Sequence, residues 1–272
     1  METCMLCGLA RYSMVNELAE KDYLVELKYD GERALAHTKG VFDFELFNRR
    51  GRNISVQFPE IVEAIRKWLP PNCMVDGEIV AGNLERGGDF QTLQKRTHLQ
   101  DKFKISLLSK TAPATYIVFD VLKWIGQDLT NLPLEERLEK LKERSCNRPM
   151  CFNTIKDGWS YVQTKECEGL ILKRKGSHYS YSRSDNWLKL KDIKKLIVEV
   201  VQTEITIKGG FKLYCENGIK VACGKRENFE HIKELLGAGL KPLVEIAYLE
   251  TTEKDNLRQP VFSRIIGGKA NV

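Results

Sequence analysis

The 272-residue sequence lacks long hydrophobic runs, and its longest apolar stretches are only a few residues. A membrane-spanning helix needs about 20 consecutive apolar residues, so the sequence predicts none. It also lacks tracts rich in proline, serine or glutamine, and with 42% hydrophobic and 29% charged residues a disordered or fibrous chain is excluded. The amino terminus has no basic stretch followed by a long apolar one, as a secretory signal would. We therefore expect a cytoplasmic protein.

The sequence also lacks the residues that would complete a metal site around its eight cysteines. Cys4 and Cys7 form one CxxC pair, but no second CxxC or HxxxH pair provides the other two ligands of a zinc site. A disulfide framework is typical of small secreted domains and does not suit a cytoplasmic chain of this length. We expect reduced, partly buried cysteines, with zinc as the less favoured alternative.

Both strand and helix periodicities occur in the first 190 residues, which predicts a mixture of antiparallel strands and a few helices. Tyr23–Lys28 and Ala34–His37 are predicted to form a hairpin around an Asp-Gly turn. A helix is predicted to begin at Pro59, a favourable first-turn residue, and another to run from Leu134 to about Arg144. Further strands are predicted at Val41–Phe47, Met74–Val80, Tyr116–Leu122, Gly169–Lys173 and Trp187–Lys191.

The pattern changes after Lys195 to short β-rich runs separated by Gly-Gly and Asn-Gly turns, with one helix near Phe229–Leu236. This pattern predicts a small β-barrel. The charged stretch Asp192–Lys195 separates the two β patterns, so we place the boundary there and predict two domains, 1–192 and 193–272.

The segment from Glu26 to Arg33 contains the first side chains that could take part in catalysis or phosphate binding. Lys28 ends a predicted strand, where its side chain can be held still, and desolvation or nearby cations can make a lysine amine nucleophilic. Asp30 follows two residues later, and Arg33 in the next strand could bind a phosphate through two hydrogen bonds. The alternative reading of these residues alone is a surface hairpin with solvated charges.

The motif KxDGxR, present as Lys28–Arg33, resembles the defining motif of the covalent nucleotidyltransferases, which include DNA ligases, RNA ligases and messenger-RNA capping enzymes. Further elements similar to those of this family follow in the family's order, and chance agreement of six ordered elements is not credible. They are Asn48–Gly51, Asp76–Glu78, Phe119–Asp120, Glu168–Lys173 and Trp187–Lys191. The resemblance extends from about Tyr23 to Lys269.

Two further stretches favour ATP-dependent DNA ligases within that superfamily. Phe90–Arg96 resembles their FQxLQxR helix, and Val244–Glu250 followed by Leu257–Phe262 resembles the end of their oligonucleotide-binding (OB-fold) barrel. The resemblance implies an α+β fold, in which an adenylation (nucleotidyltransferase) domain of antiparallel sheets with flanking helices precedes a small OB-fold β-barrel. RNA ligase, guanylyl capping enzyme and a non-catalytic nucleic-acid-binding protein stay as alternatives.

The resemblance implies a reaction in three steps. Lys28 would attack the α-phosphate of ATP and hold AMP covalently, with Mg²⁺ at the site. AMP would then pass to the 5′-phosphate of nicked duplex DNA, and the 3′-hydroxyl would displace it to seal the strand, in repair or replication. We expect a monomer with unidentified repair or replication partners, no membrane association, and a nucleoid location if the source is prokaryotic.

The resemblance also assigns roles to side chains other than the catalytic Lys28. Phe119 would stack on adenine, Glu78 would accept from ribose hydroxyls and Glu26 would lie near the adenine amine. Asp30 and Glu168 are the metal-ligand candidates, because hard carboxylate oxygens suit magnesium. The full set implied to contact the nucleotide is Glu26, Arg33, Arg49, Glu78, Phe119, Lys173, Arg183, Lys189 and Lys191.

Three of these lysines alternate in their strands. Lys173, Lys189 and Lys191 are therefore expected on one face, where they would line a phosphate channel. Read without the resemblance, such a run is a solvated charged face, and Phe119 is a core aromatic.

The sequence departs from the ligase pattern at the motif RxDK, which usually ends the barrel domain and reaches pyrophosphate. Alignment places Ile266–Lys269 there, so that only Lys269 survives, while Arg264 could substitute if the strand is shifted or bulged. Both are weak candidates for DNA binding or the first step. The length implies a minimal two-domain type whose DNA binding depends strongly on salt.

The charge distribution supports a phosphate-rich partner. The chain has a formal net charge of +6, and residues 173–195 alone contain eight basic and two acidic side chains. The basic excess is therefore concentrated in the two lysine-bearing strands, their connecting loop and the predicted domain boundary, where phosphates would bind.

Overall fold

The fold is described from a computed structural model, which covers residues 4–40, 43–251 and 256–270, without the side chains of 16–17 and 268–270. The chain divides into two compact units, Met1–Lys191 and Asp192–Val272. In the part of the chain that is described, no helix is long and apolar enough to span a bilayer.

The first unit alternates short strands and short helices. Its elements are, in chain order, β1 (Leu6–Ala10), β2 (Tyr23–Leu27), β3 (Glu32–Thr38), β4 (Phe44–Asn48), α1 (Pro59–Arg66), β5 (Cys73–Val80), α2 (Phe90–Thr97), α3 (Lys102–Thr111), β6 (Thr115–Trp124), β7 (Gln127–Asp128), α4 (Leu134–Glu139), β8 (Cys151–Phe152), α5 (Ile155–Lys165), β9 (Gly169–Arg174) and β10 (Arg183–Lys191). Residues 41–42 of the predicted strand Val41–Phe47 lie outside the described residues.

The strands of the first unit form two five-stranded sheets. The first sheet has the order β1-β10-β9-β2-β8, and the second has the order β4-β3-β5-β6-β7. Neighbouring strands are antiparallel except for the parallel pair β1–β10. The expectation of antiparallel sheets with flanking helices is confirmed.

The predicted hairpin around Asp30 is wrong, because β2 and β3 belong to different sheets. The connection Lys28–Gly31 crosses from the first sheet to the second. Gly31 is required there, since a Cβ at this position would lie 2.0 Å from the carbonyl oxygen of Ile79. The apolar pattern located both strands to within two residues at each end, but it holds no information about which strand each one pairs with.

Three apolar clusters hold the first unit together. The outer face of the second sheet packs on α1 through Ile61 and Ile65, and fully burying each such side chain contributes about 1.5–3 kcal/mol. The outer face of the first sheet packs on α5 through Trp159. The third cluster joins the inner faces of both sheets, with Leu35 from one and Trp187 from the other. The candidate site residues lie beside this third cluster.

The second unit is a closed five-stranded barrel with the order β11-β12-β13-β15-β14. Its elements are β11 (Lys194–Ile205), β12 (Phe211–Cys215), β13 (Lys220–Ala222), α6 (Arg226–Gly237), β14 (Leu240–Tyr248) and β15 (Val261–Ala270). Phe229 and Ile232 of α6 are buried against the strands. The structure confirms the predicted barrel and the predicted helix, which extends beyond Phe229–Leu236.

One ion pair is completely buried behind the second sheet. Arg137 of α4 binds Asp120 of β6 through two hydrogen bonds of 2.7 Å, and neither side chain is exposed to solvent. The carbonyls of Leu132 and Ser177 accept from Nη1 of the same guanidinium. Asp120 is thus occupied with structural contacts, although it belongs to the Phe119–Asp120 motif element.

We predict that Asp120→Asn lowers the free energy of unfolding by about 3–5 kcal/mol, because it leaves a buried guanidinium without a counter-charge. The matched control is Glu139→Gln, which breaks an exposed pair with Lys142 at the end of the same helix and is expected to cost less than about 1 kcal/mol. Urea denaturation of both variants measures the difference. Equal small losses would contradict a structural role for the buried pair.

Candidate active site

One face of the first sheet gathers most of the candidate residues. The backbone amide of Lys28 donates to the carbonyl of Gly169, which continues the β2–β9 ladder by one residue. Glu26 and Lys28 therefore share a face. Across β9 and β10, Lys173 pairs with Trp187, so the alternating Lys189 and Lys191 lie on that same face. The register thus gives the shared face that the alternation predicts.

Glu168 bridges two lysines at the end of this face. Its Oε2 lies 2.5 Å from Nζ of Lys28 and its Oε1 lies 2.9 Å from Nζ of Lys191. Gly169, the next residue, lies close to the backbone of β10, because its φ is +147° and a Cβ there would lie 2.0 Å from the carbonyl oxygen of Leu190. The Glu-Gly dipeptide of the sequence motif therefore has a steric explanation.

The bridge sets the protonation of both partners. Burial favours neutral Lys28, but the charge and hydrogen bond of the Glu168 carboxylate act against burial, and the pKa of the amine is raised. Burial likewise opposes ionisation of Glu168, yet the charges of Lys28 and Lys191 lower its pKa. Lys28 is thus an ammonium ion in the ligand-free protein and has to lose a proton before it can act as a nucleophile.

The second sheet supplies the opposite wall, where Arg33 and Glu78 pair directly across β3 and β5. Arg33 donates to both carboxylate oxygens of Asp76, at 2.9 and 2.5 Å, and to the carbonyl of Met5 at 2.7 Å. Tyr179 donates to the same aspartate at 2.6 Å and accepts from the amide of Met5 at 2.9 Å. Arg33 therefore anchors the chain just before β1, in addition to any phosphate contact it makes.

Glu78 is a partly buried acid among four charged groups. Burial raises its pKa to about 8, while the positive charges of Lys28 and Arg33 oppose that shift and the negative charges of Glu168 and Asp76 add to it. Near neutral pH most of this carboxyl group is protonated. It can then donate a hydrogen bond as well as accept one.

Glu26, Lys173 and Phe119 form a closed group deeper in the cleft. Nζ of Lys173 lies 2.8 Å from Oε2 of Glu26 and donates to the carbonyl of Phe119 at 2.7 Å. The Phe119 ring meets the Trp187 ring edge-on, with centroids 5.9 Å apart. Burial raises the pKa of Glu26, and the charge of Lys173 opposes this shift.

The other nucleotide-contact candidates lie nearer to solvent. Arg183 is exposed and donates to the carbonyl of Cys7 at 2.5 Å. Burial and the charge of Lys191 lower the pKa of Lys189. Arg49 is exposed in the turn after β4.

The barrel candidates lie in β15 and are described within the second unit alone. Arg264 is 67% exposed and lies 3.2 Å from Glu245, which also binds Lys195 at 3.0 Å. The β14–β15 register shifts between Glu245 and Ile246, beside Arg264, so the strand is irregular at this point. The backbone of Lys269 pairs with Lys241, and its side chain lies outside the described residues.

The donor set around Lys28 fits magnesium better than zinc. Among the described residues no three His, Cys, Asp or Glu side chains are grouped to hold a metal alone, but magnesium is commonly bound by one or two carboxylates together with phosphates. Glu168 is ionised and beside Lys28, and the charge of Asp30 also acts on that lysine. Burial raises the pKa of Cys4 to about 12, which disfavours the thiolate that zinc requires.

Comparison with known proteins agrees with this geometry. Residues 4–191 match the family model described as ATP dependent DNA ligase domain, so the chain belongs to that family. A probable DNA ligase of Aquifex aeolicus is 31% identical over 200 residues, which cover 68% of this chain and 34% of that protein. The chain thus spans about a third of the length of the curated relatives it matches.

Solved structures of low identity share the fold. The ligase domain of M. tuberculosis LigD superposes with a TM-score of 0.61 at 19% identity, over 97% of this chain and 94% of that one. A Lig E DNA ligase gives a TM-score of 0.69 at 18% identity, over 96% and 98% of the two chains. The likeness covers both units, and confirms the predicted adenylation-domain fold followed by an OB-fold barrel.

Three contributors to the site were not identified from the sequence. Asp76 was part of a matched motif but had no assigned role, while Tyr179 lies in a Ser/Tyr/Gly-rich loop without periodicity. Strand β1 was not predicted, because five residues containing a cysteine and a glycine carry little strand signal.

The raised pKa of Glu78 predicts a specific pH dependence of stability. Between the ordinary value of 4.5 and about 8, the folded protein holds a proton that the unfolded chain has released, so stability falls as pH rises through this window. We predict that Glu78→Gln loses less stability than the parent between about pH 5 and pH 8. Thermal unfolding across this range measures it, with Glu63→Gln, an exposed residue of α1, as the control. Parallel curves for parent and Glu78→Gln would contradict the buried-acid assignment.

Proposed function

We propose that this protein is an ATP-dependent DNA ligase that seals 5′-phosphate/3′-hydroxyl nicks in duplex DNA through AMP bound covalently to Lys28. The observation that carries the proposal is the placement of Lys28, Glu168 and Lys191, from three separate motifs, within 2.9 Å contacts at one end of the cleft. We also propose that residues 1–192 act as the adenylation domain and residues 193–272 as the OB-fold domain.

Lys28 is the nucleophile in the proposed first step. Its Nζ attacks the α-phosphorus of ATP, the N–P bond forms, and the bond from phosphorus to the bridging oxygen breaks to release pyrophosphate. One proton leaves the ammonium before attack and a second leaves as the N–P bond forms. Glu168 is the side chain in direct contact with those protons and orients the amine toward the cleft.

The basic side chains near Lys28 would have different roles. Lys189 and Lys191 would contact the phosphates, because they lie on the same sheet face as the nucleophile. Arg49 and Arg183 would reach the nucleotide from the rim, whereas Arg33 keeps Asp76 and β1 in place. Asp30 and Glu168 would hold Mg²⁺, which supplies neutralisation of phosphate charge when bound.

The base and sugar of ATP would lie further into the cleft. Phe119 would stack on the adenine, and Glu26 would accept from its amine. Glu78 would hydrogen-bond the ribose hydroxyls, as donor or acceptor according to its protonation. The buried position of Glu26, with a side chain 4% exposed, suits a base that is removed from water.

The later steps need DNA at the same cleft. The 5′-phosphate of the nick would take AMP from Lys28, and the 3′-hydroxyl would then displace AMP. The basic excess of residues 173–195 supports binding of the phosphate backbone. We propose Arg264 and Lys269 as candidates to contact pyrophosphate or DNA. We also propose that the protein acts as a monomer and that it has repair or replication partners, which are unidentified.

We predict that incubation with ATP adds the mass of one AMP to the protein, and that peptide mapping finds it on Lys28. Lys28→Ala should gain no AMP, because it removes the proposed nucleophile, even though Lys191 still contacts Glu168 at 2.9 Å. Lys142→Ala, which removes an exposed lysine of an ion pair far along the chain, should behave as the parent. Intact-mass and peptide mass spectrometry provide the measurement.

The same experiment separates the alternatives. The adduct, mixed with nicked DNA, should transfer AMP to the 5′-phosphate and seal the nick. An adduct that forms with GTP alone would instead indicate a capping-type enzyme, and sealing of nicked RNA only would indicate an RNA ligase. ATP-dependent sealing by Lys28→Ala would overturn the assignment of the nucleophile.

A further inference from the structure

Lys173 occupies a different environment from the other lysines on its face of the sheet. Its side chain is 1% exposed, whereas those of Lys28 and Lys191 are 20% and 17% exposed. The three lie on one face by register. Only the latter two open onto the part of the cleft where phosphates could enter. We therefore do not expect Lys173 to contact phosphates, unlike Lys28 and Lys191.

The Lys173 ammonium is enclosed by groups from both sheets. It bonds to Glu26 on β2 and to the carbonyl of Phe119 on β6, at 2.8 and 2.7 Å. The same nitrogen lies 4.6 Å from the centroid of the Phe119 ring and 4.4 Å from that of the Trp187 ring. Two of the three ammonium protons are thus used within the protein, and the two aromatic rings and the 1% exposure of the side chain disfavour contact with a ligand phosphate.

We propose that Lys173 is a positioning residue that determines base specificity, because it holds Glu26 as a carboxylate beside the Phe119 ring and so makes the pocket accept adenine and reject guanine. The inference rests on the proposed function, and assigns Lys173 to recognition of the base instead of the phosphates.

Adenine and guanine differ in the group that each presents at the 6-position of the purine. Adenine has an amino group there, which donates, and guanine has a carbonyl, which accepts. An ionised carboxylate only accepts, so it pairs with the adenine amine and repels the guanine carbonyl. A protonated carboxyl group can donate and would tolerate guanine. Specificity therefore follows from the charge state of Glu26.

Lys173 is the main support of that charge. Burial favours the neutral acid, and the nearby Asp120 carboxylate acts in the same direction. Lys173 opposes both through its charge and its hydrogen bond, and Arg148 adds a smaller favourable charge. Loss of the ammonium would leave Glu26 buried with its principal counter-charge removed.

The test compares rates of nucleotide attachment to the protein with ATP and with GTP, as kcat/KM for each. In Lys173→Met the ATP-to-GTP ratio is expected to fall about tenfold or more, because a buried polar site that no longer matches its substrate loses discrimination. Lys173→Arg keeps the charge and should retain a higher ratio than Lys173→Met. Lys142→Met is the matched control, since it removes an exposed lysine paired with Glu139, and its ratio should equal the parent ratio.

A purely structural role for Lys173 would lower both rates together and leave the ratio unchanged. That result, in a folded Lys173→Met protein, would overturn the inference. If Lys173→Met does not fold, the double variant Glu26→Gln/Lys173→Met removes both buried charges, and its amide can donate or accept. The double variant should also lose selectivity, and a parent-like ratio in it would overturn the inference equally.

The outcomes also separate this inference from the proposed function. A parent protein that forms an adduct with neither nucleotide would overturn both. A parent that selects ATP, with variants that keep its selectivity, would overturn only the role of Lys173.

Discussion

The carboxylate of Glu168, held between the ammonium groups of Lys28 and Lys191, is the interaction on which the site depends. Two lysines on one sheet face repel each other, and Glu168 compensates that repulsion at contacts of 2.5 and 2.9 Å. The geometry requires β2, β9 and β10 to keep their register and Gly169 to lack a side chain. The placement of the nucleophile therefore depends directly on the fold of the first sheet.

A second feature is the division of the cleft into two electrostatic environments. At one end, partly exposed lysines are paired through Glu168 and can receive phosphates. At the other end, Lys173 and Glu26 are enclosed with aromatic rings from both sheets, where charge is costly unless it is paired. Such a division suits a ligand that has a charged end and a flat apolar end, as a nucleotide does.

Much of the fold could be predicted from sequence. Pro59 marked the start of α1, Phe90–Arg96 matched α2 closely, and the change after Lys195 indicated the barrel. The hairpin at Asp30 failed because local patterns locate strand ends but not pairing partners. Helix α5 was missed although Thr154 caps it, and α3 was missed because only Ile105 is buried in it and its apolar pattern is weak.

The site, like the fold, could be predicted only in part from the sequence. Lys28, Glu168 and Lys191 were identified from motifs, but their pairing could not be, because the contact between Lys28 and Glu168 joins residues 140 apart in sequence. The alternation that grouped Lys173 with Lys191 gave the correct face and could not reveal that one lysine is enclosed while the other is open. Depth within a cleft depends on the opposite sheet, and a single strand's pattern carries no record of it.

The most direct test of this account is a double-mutant cycle between Lys28 and Glu168, measured as free energies of unfolding of the ligand-free protein. Lys28→Met and Glu168→Gln each leave a partly buried charge with less compensation, so the double variant should lose less stability than the sum of the two single losses. We expect a coupling free energy between Lys28 and Glu168 of about 1 kcal/mol or more. Losses that add within about 0.5 kcal/mol would contradict it.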